Sequence, residues 1–200
     1  MNFKYYDTLS QLVMGFIVLV VLMNVIGLQY DNSYSVPYLA FAFVIGYFIN
    51  IISSLLEKFF YWTIGGMPSD RLLKIKQGKN YSGTNKIKFY QTQKVIQLLK
   101  EDVGDKDASE RKMFAKAMRI ANNNEKSRAY DFNAHYAFSR VVLTTFLLIT
   151  IILIIKYPCC WKTYLIIIPL LLAWERYRER GYYYAKEVLN EYIEYKEKQL

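Results

Sequence analysis

Histidine is almost missing from this sequence, and cysteine is confined to one place. The 200 residues include one histidine, His135, and two cysteines, the neighbours Cys159 and Cys160. Vicinal cysteines bridge each other poorly. Two of them supply neither a disulfide framework nor a Cys-based zinc site. Also absent are a Walker loop, a Gly-rich dinucleotide fingerprint, a Gly-x-Ser-x-Gly elbow and a His-Glu-x-x-His pair. The acidic turn Glu101, Asp102, Asp105, Asp107 and Glu110 has neither the glycine nor the ligand spacing of an EF-hand loop, and reads as a solvated turn. No metal, cofactor or conventional catalytic constellation is expected. There are no internal repeats and no low-complexity tracts.

What the chain has is apolar sequence in long runs, with charge held apart from it. Hydrophobic residues make up 54% and charged residues 22%, a segregation that excludes both an ordinary soluble domain and a disordered chain. A bilayer core of about 30 Å needs roughly 20 mostly apolar helical residues. Leu9–Leu28 and Pro37–Leu56 carry no charge, and the second run is expected to continue through Phe60. Val141–Ile155 is apolar apart from threonines. Cys159–Trp174 contains only Lys162. The expectation is an all-α membrane protein with four transmembrane helices. It divides into a first hairpin at 9–60, a basic cytoplasmic helical insert at 61–138, a second hairpin at 139–174 and a cytoplasmic amphipathic helix at 175–200. Tyr61, Trp62, Tyr157, Trp161 and Trp174 fall at the expected span ends, where aromatic belts form.

The charge balance orients it. Lys+Arg against Asp+Glu is 26 against 17, a net +9. Between Tyr61 and Arg140 there are sixteen Lys/Arg and eight Asp/Glu, while Gln29–Val36 has no basic residue. The positive-inside rule then puts both termini and the middle segment on the cytoplasmic side. Two basic clusters stand out in that segment. One is Arg71, Lys74, Lys76, Lys79, Lys86 and Lys88; the other is Arg111, Lys112, Lys116 and Arg119. They suit anionic lipid headgroups or RNA, with Tyr81, Phe89 and Tyr90 available to stack on bases.

The middle segment reads as short helices. Gly65-Gly66 breaks the second span and Pro68 restarts a helix to Lys76. Gly78–Asn85 is a polar loop and Lys88–Glu101 a helix. Asp107 with Glu110 forms a cap for a helix whose stripe is Met113, Phe114, Ala117, Met118 and Ala121. From about Glu125 the chain runs as a helix into the third span. Gly181–Leu200 is an amphipathic helix with Ala185, Val188, Leu189, Tyr192 and Tyr195 on its apolar side, available to pack on the insert or on a second copy.

Polar residues inside apolar spans are the sharpest functional pointers, because hydrocarbon penalises them. Asn24 lies in the first span. Asn50, Ser53, Ser54 and Glu57 share one face of the second, and Thr144, Thr145 and Thr150 lie in the third. Two readings stand. This face lines a water-filled path in a homo-oligomer, or the groups hydrogen-bond between packed helices. Arg128 and His135, with six residues between them in RAYDFNAH, resemble the loose Arg–His motif of HEPN-type ribonucleases, although Ala129 stands where that motif usually has a polar residue. The alternative puts Arg128 at lipid phosphates and His135 in packing or solvent.

The run GGMPSDRLL after the second span, and Asn133-x-x-Tyr136-x-Phe138-x-Arg140 before the third, are similar to patterns in uncharacterised bacterial membrane proteins. With two spans, a basic insert, two spans and a helical tail, the chain resembles the multi-span transmembrane accessory protein of type VI-B CRISPR systems. That resemblance implies modulation of RNA-targeting antiphage immunity beside an RNA-guided effector protein, with no catalysis by this chain. A sibling accessory family forms a membrane pore. The two function classes are therefore a homo-oligomeric pore and a membrane-anchored module that binds an effector through its basic segment.

Overall fold

The computed structural model describes residues 3–74, 80–105, 107–123, 127–158 and 160–199, and only the backbone of residues 3–7 and of Lys162. It is helical almost throughout. The helices are α1 (Phe3–Ile26), α2 (Ser35–Leu55), α3 (Glu57–Thr63), α4 (Pro68–Leu72), α5 (Thr92–Val103), α6 (Glu110–Asn122), α7 (Ala129–Lys156) and α8 (Ile167–Glu197). Asn32–Tyr34 and Trp161–Ile166 are 3-10 segments. Two short antiparallel strands, β1 (Ser82–Gly83) and β2 (Lys88–Phe89), pair with Ser82 opposite Phe89. The chain forms two compact units: Met1–Phe60 with Ala137–Tyr177, and Tyr61–Tyr136 with Arg178–Leu200.

In the first unit, three helices are long and apolar enough to cross a membrane. They are α1 over Thr8–Ile26, α2 with its preceding 3-10 turn over Asn32–Leu55, and α7 over Ala129–Lys156. Small residues let α1 and α2 approach backbone to backbone. A Cβ added to Gly15 would lie 1.7 Å from the Ala42 carbonyl oxygen, and one added to Gly46 would lie 1.9 Å from that of Gln11. Such small-residue crossings replace the hydrophobic drive that lipid does not supply. Around the crossing, Met14 and Val18 of α1 and Ile49 of α2 pack with Val141 and Ile149 of α7. The outer faces carry Val13, Val20, Phe41, Val44, Phe48 and Ile51 exposed, as helices facing acyl chains do.

The fourth apolar run takes a different form. Cys159 lies outside the described residues, Trp161–Ile166 is 3-10, and α8 begins only at Ile167. Pro169 explains the start: its ring would clash with the Leu165 carbonyl in a continuous α-helix, but it is tolerated in a first turn. The charged tail is not a separate helix either, since α8 runs on through Gly181 to Glu197. Gly181 is needed there for space, because a Cβ on it would lie 3.0 Å from the Pro68 ring and 3.4 Å from Tyr136.

The second unit has its own core. Leu72 and Leu73 from α4, Ile87 and Phe89 from the hairpin, Val95 and Leu99 from α5, and Met113, Ala117 and Ala121 from α6 pack on Tyr182, Ala185, Val188, Leu189, Tyr192 and Ile193 of α8. The expected α8 stripe is right except at its end: Ile193 is buried, whereas Tyr195 is 43% exposed. The expected helix at Lys88 begins instead at Thr92, because Lys88 and Phe89 are taken by the hairpin. A buried hydroxyl pair fixes that corner. The Ser82 Oγ donates to the Leu72 carbonyl at 2.6 Å and lies 2.6 Å from the Thr92 Oγ1. The α6 cap is Ser109, whose Oγ accepts from the Lys112 amide, and not Asp107. The Gly65-Gly66 break closes α3 with paired bonds, Gly66 N to the Tyr61 carbonyl and Gly65 N to that of Trp62, at φ values of 111° and 80°.

Gly46→Leu should separate α1 from α2, because the atom it meets is backbone and has no rotamer to move. The expected loss is at least ~1–3 kcal/mol of stability in mild detergent, read by denaturant titration. Wild-type stability in that variant would contradict the close crossing.

Candidate functional site

The polar residues of the apolar helices converge on one node. At the end of α2, the Ser53 and Ser54 hydroxyls both donate to the Asn50 carbonyl, at 2.7 and 3.2 Å. Hydroxyls that bond back to the preceding turn disturb a helix, and α2 stops at Leu55, before the expected continuation through Phe60. Glu57 opens α3. Facing it from α7 is Arg140, whose Nη1 lies 2.9 Å from the Glu57 Oε1 and whose Nη2 donates to the Ser54 Oγ at 3.1 Å. Arg140 is 15% exposed at its side chain, and its Nε is buried with no hydrogen-bond partner among the described residues. The node runs from the Asn50 carbonyl through Ser54 and Arg140 to Glu57, so a positive and a negative charge neutralise each other among apolar helices.

Farther along α7, Thr144 and Thr145 are fully buried. Their hydroxyls donate to the Arg140 and Val141 carbonyls at 3.0 and 2.9 Å, and Thr150 does the same to Phe146 at 2.6 Å. Asn24 does not belong to this group. It sits two residues from the end of α1, exposed, and its carbonyl accepts from the Gly27 amide.

In the second unit many of the candidate cations already have partners. The Arg71 Nη1 donates to the Ile64 carbonyl at 2.9 Å, at the C-terminus of α3 where a cation is favoured. Lys74 pairs with Glu110 at 3.5 Å, Lys86 with Glu179 at 3.1 Å and Lys112 with Asp105 at 3.0 Å. Lys76 and Lys79 lie outside the described residues. Phe89, offered as a stacking group, is in the core. Tyr81 and Tyr90 do sit together, ring centroids 5.9 Å apart, with the Lys88 Nζ 5.2 Å from the Tyr81 ring.

Arg128 stands just before α7, and its charge is engaged within the second unit. The Arg128 amide donates to Glu191 at 3.0 Å, while its guanidinium lies 3.7 Å from Glu187 and over the Phe132 ring. His135 lies two turns along α7 with its side chain exposed. Burial pushes the Glu187 carboxyl above its usual range despite Arg128, with Glu191 and Glu194 adding to the rise. Among the described residues no group of three His, Cys, Asp or Glu side chains could hold a metal ion.

One node escaped the sequence reading. Asp102, at the end of α5, accepts from the Tyr192 hydroxyl at 2.8 Å and from the Lys196 Nζ at 2.6 Å, both on α8. Burial opposes its ionisation, but those two hydrogen bonds and the charges of Lys196 and Lys116 outweigh it and hold the carboxyl below its usual range. Burial, then the bond to Asp102, pushes the Tyr192 hydroxyl up. The sequence signal was present, since Tyr192 and Lys196 lie one helical turn apart, but their acidic partner is 90 residues away.

No protein-family model, no curated protein and no solved structure matches this chain.

Asp102→Asn should destabilise the helical unit at neutral pH by on the order of 1 kcal/mol. In the folded chain the carboxyl stays ionised to lower pH than its ordinary 3.8, so the unfolded state takes up the proton first as pH falls. The gap between wild type and variant should therefore be full above that value and close below it, as measured by unfolding at a series of pH values. A gap independent of pH would contradict the role of the ion.

Proposed function

We propose that this chain is an integral membrane interaction module: apolar helices anchor it, and a separately cored helical unit is displayed for binding. The carrying observation is how the polar groups of the spans are used. Ser53, Ser54, Thr144, Thr145 and Thr150 bond to carbonyls of their own helices, and Glu57 pairs with Arg140. Groups engaged in this way suit helix packing better than the wall of an aqueous path, which favours the module over the pore.

A fourth crossing belongs to the same proposal. Ala129, at the start of α7, shares a core with Val188 and Tyr192 of α8. A chain that leaves one side of a bilayer through α7 has to return before Val188. The return segment is Trp161–Tyr177. Its 3-10 part rises about 2.0 Å per residue and its α part about 1.5 Å, so the two together span close to the hydrocarbon thickness. Both termini and the helical unit are then cytoplasmic in a bacterial inner membrane. The resemblance to type VI-B accessory proteins supplies the proposed partner, an RNA-guided effector protein, and the proposed role, modulation of RNA-targeting immunity without catalysis by this chain.

Reconstituted into vesicles, the purified chain should float with the lipid and leave a trapped small fluorophore inside. Release that grows with protein content, together with discrete currents across planar bilayers, would replace the module with the pore.

A further inference from the structure

Among the described residues of the second unit, several cations are held by carboxylates, while α6 carries a row of cations that mostly are not. Lys74, Lys86, Lys94, Lys196 and Arg128 each face a carboxylate. On α6, Arg111, Lys116 and Arg119 make no ion pair among the described residues, although the charge of Lys116 is felt at Asp102, and Lys112 pairs with Asp105. The helix buries Met113, Ala117 and Ala121. At about 100° per residue, Arg111, Lys112, Ala115, Lys116 and Arg119 fall within about 140° of arc on the opposite side. Arg111, Lys112, Ala115 and Arg119 are exposed, and Lys116 is partly so. The α6 helix has one acid, Glu110, and Lys74 takes it. This is a strip of cations fixed on a helix whose other side is locked into a core, so docking it costs little ordering of the backbone.

We infer that the α6 strip docks on anionic phospholipid headgroups. Charge complementarity calls for a polyanion, and the chain that bears the strip also carries three helices long and apolar enough to cross a membrane, which would tether a headgroup surface to it by covalent connection. Each cation near such a surface raises affinity roughly fivefold. The strip offers no exposed ring between its charges on which a base could stack, which RNA recognition would use. The inference rests on the membrane-anchored part of the proposed function and adds the partner of one face.

The test uses the full chain with Cys159→Ser and Cys160→Ser, and Ala115→Cys carrying an environment-sensitive fluorophore in the middle of the strip. It is placed in vesicles of phosphatidylcholine alone, or of phosphatidylcholine with phosphatidylglycerol. Quenching by headgroup-labelled lipid should be several-fold stronger in the anionic vesicles. It should fall to the neutral level in high salt and in Arg111→Gln/Lys116→Gln/Arg119→Gln. Equal quenching in the two lipids, or a triple variant that behaves like its parent, overturns the inference. So does a response to single-stranded RNA with none to phosphatidylglycerol. A chain that floats with neither vesicle would overturn the anchoring itself, which keeps the two failures distinct.

Discussion

An arginine among apolar helices has to be neutralised by the chain that carries it, since hydrocarbon offers it no water. Arg140 meets that demand with Glu57 and Ser54, and both partners lie at the break between α2 and α3. The position of the break, the pairing of α7 with the end of α2, and the burial of Thr144 one turn farther on are tied to this contact. The same rule governs the hydroxyls. Ser53, Ser54, Thr144, Thr145 and Thr150 donate their hydroxyl hydrogen bonds to carbonyls of the preceding turn of their own helices.

The two units are built by different forces. In the first unit, whose helices are long and apolar enough to cross a membrane, lipid would be as apolar as leucine, and packing relies on close approach at Gly15, Ala42 and Gly46. In the helical unit, water drives a mixed core of leucine, valine and tyrosine side chains from α4, α5, α6 and α8. Polar ties then fix its corners, Ser82 with Thr92 at one and Asp102 with Tyr192 and Lys196 at another. Among the described residues, Lys74, Lys86, Lys94 and Lys196 are balanced by carboxylates, whereas Arg111 and Arg119 of α6 make no ion pair.

The apolar helices were legible because their signal is composition over some twenty residues, which no tertiary contact overrides. The α6 and α8 stripes were legible because helical period selects Met113, Ala117, Val188 and Leu189 before any partner is known. Three things were not. The β1–β2 pairing depends on two strands of two residues each, too short to carry a period. The late start of α8 hinges on the single residue Pro169. The Glu57–Arg140 contact joins positions 83 residues apart, and a lone sequence does not say which cation Glu57 will meet. The end of α2 at Leu55, short of Phe60, was not legible either, because it coincides with Ser53 and Ser54 sharing one carbonyl.

Mutual neutralisation of Glu57 and Arg140 is what ties α7 to the end of α2. The measurement is unfolding in mild detergent of Glu57→Gln, Arg140→Gln and the charge-exchanged Glu57→Arg/Arg140→Glu chain. Each single change should cost on the order of 1–3 kcal/mol by leaving a charge without its partner, and the exchange should recover most of that loss. Single variants as stable as wild type, or an exchange as damaging as the two single losses added together, would contradict it.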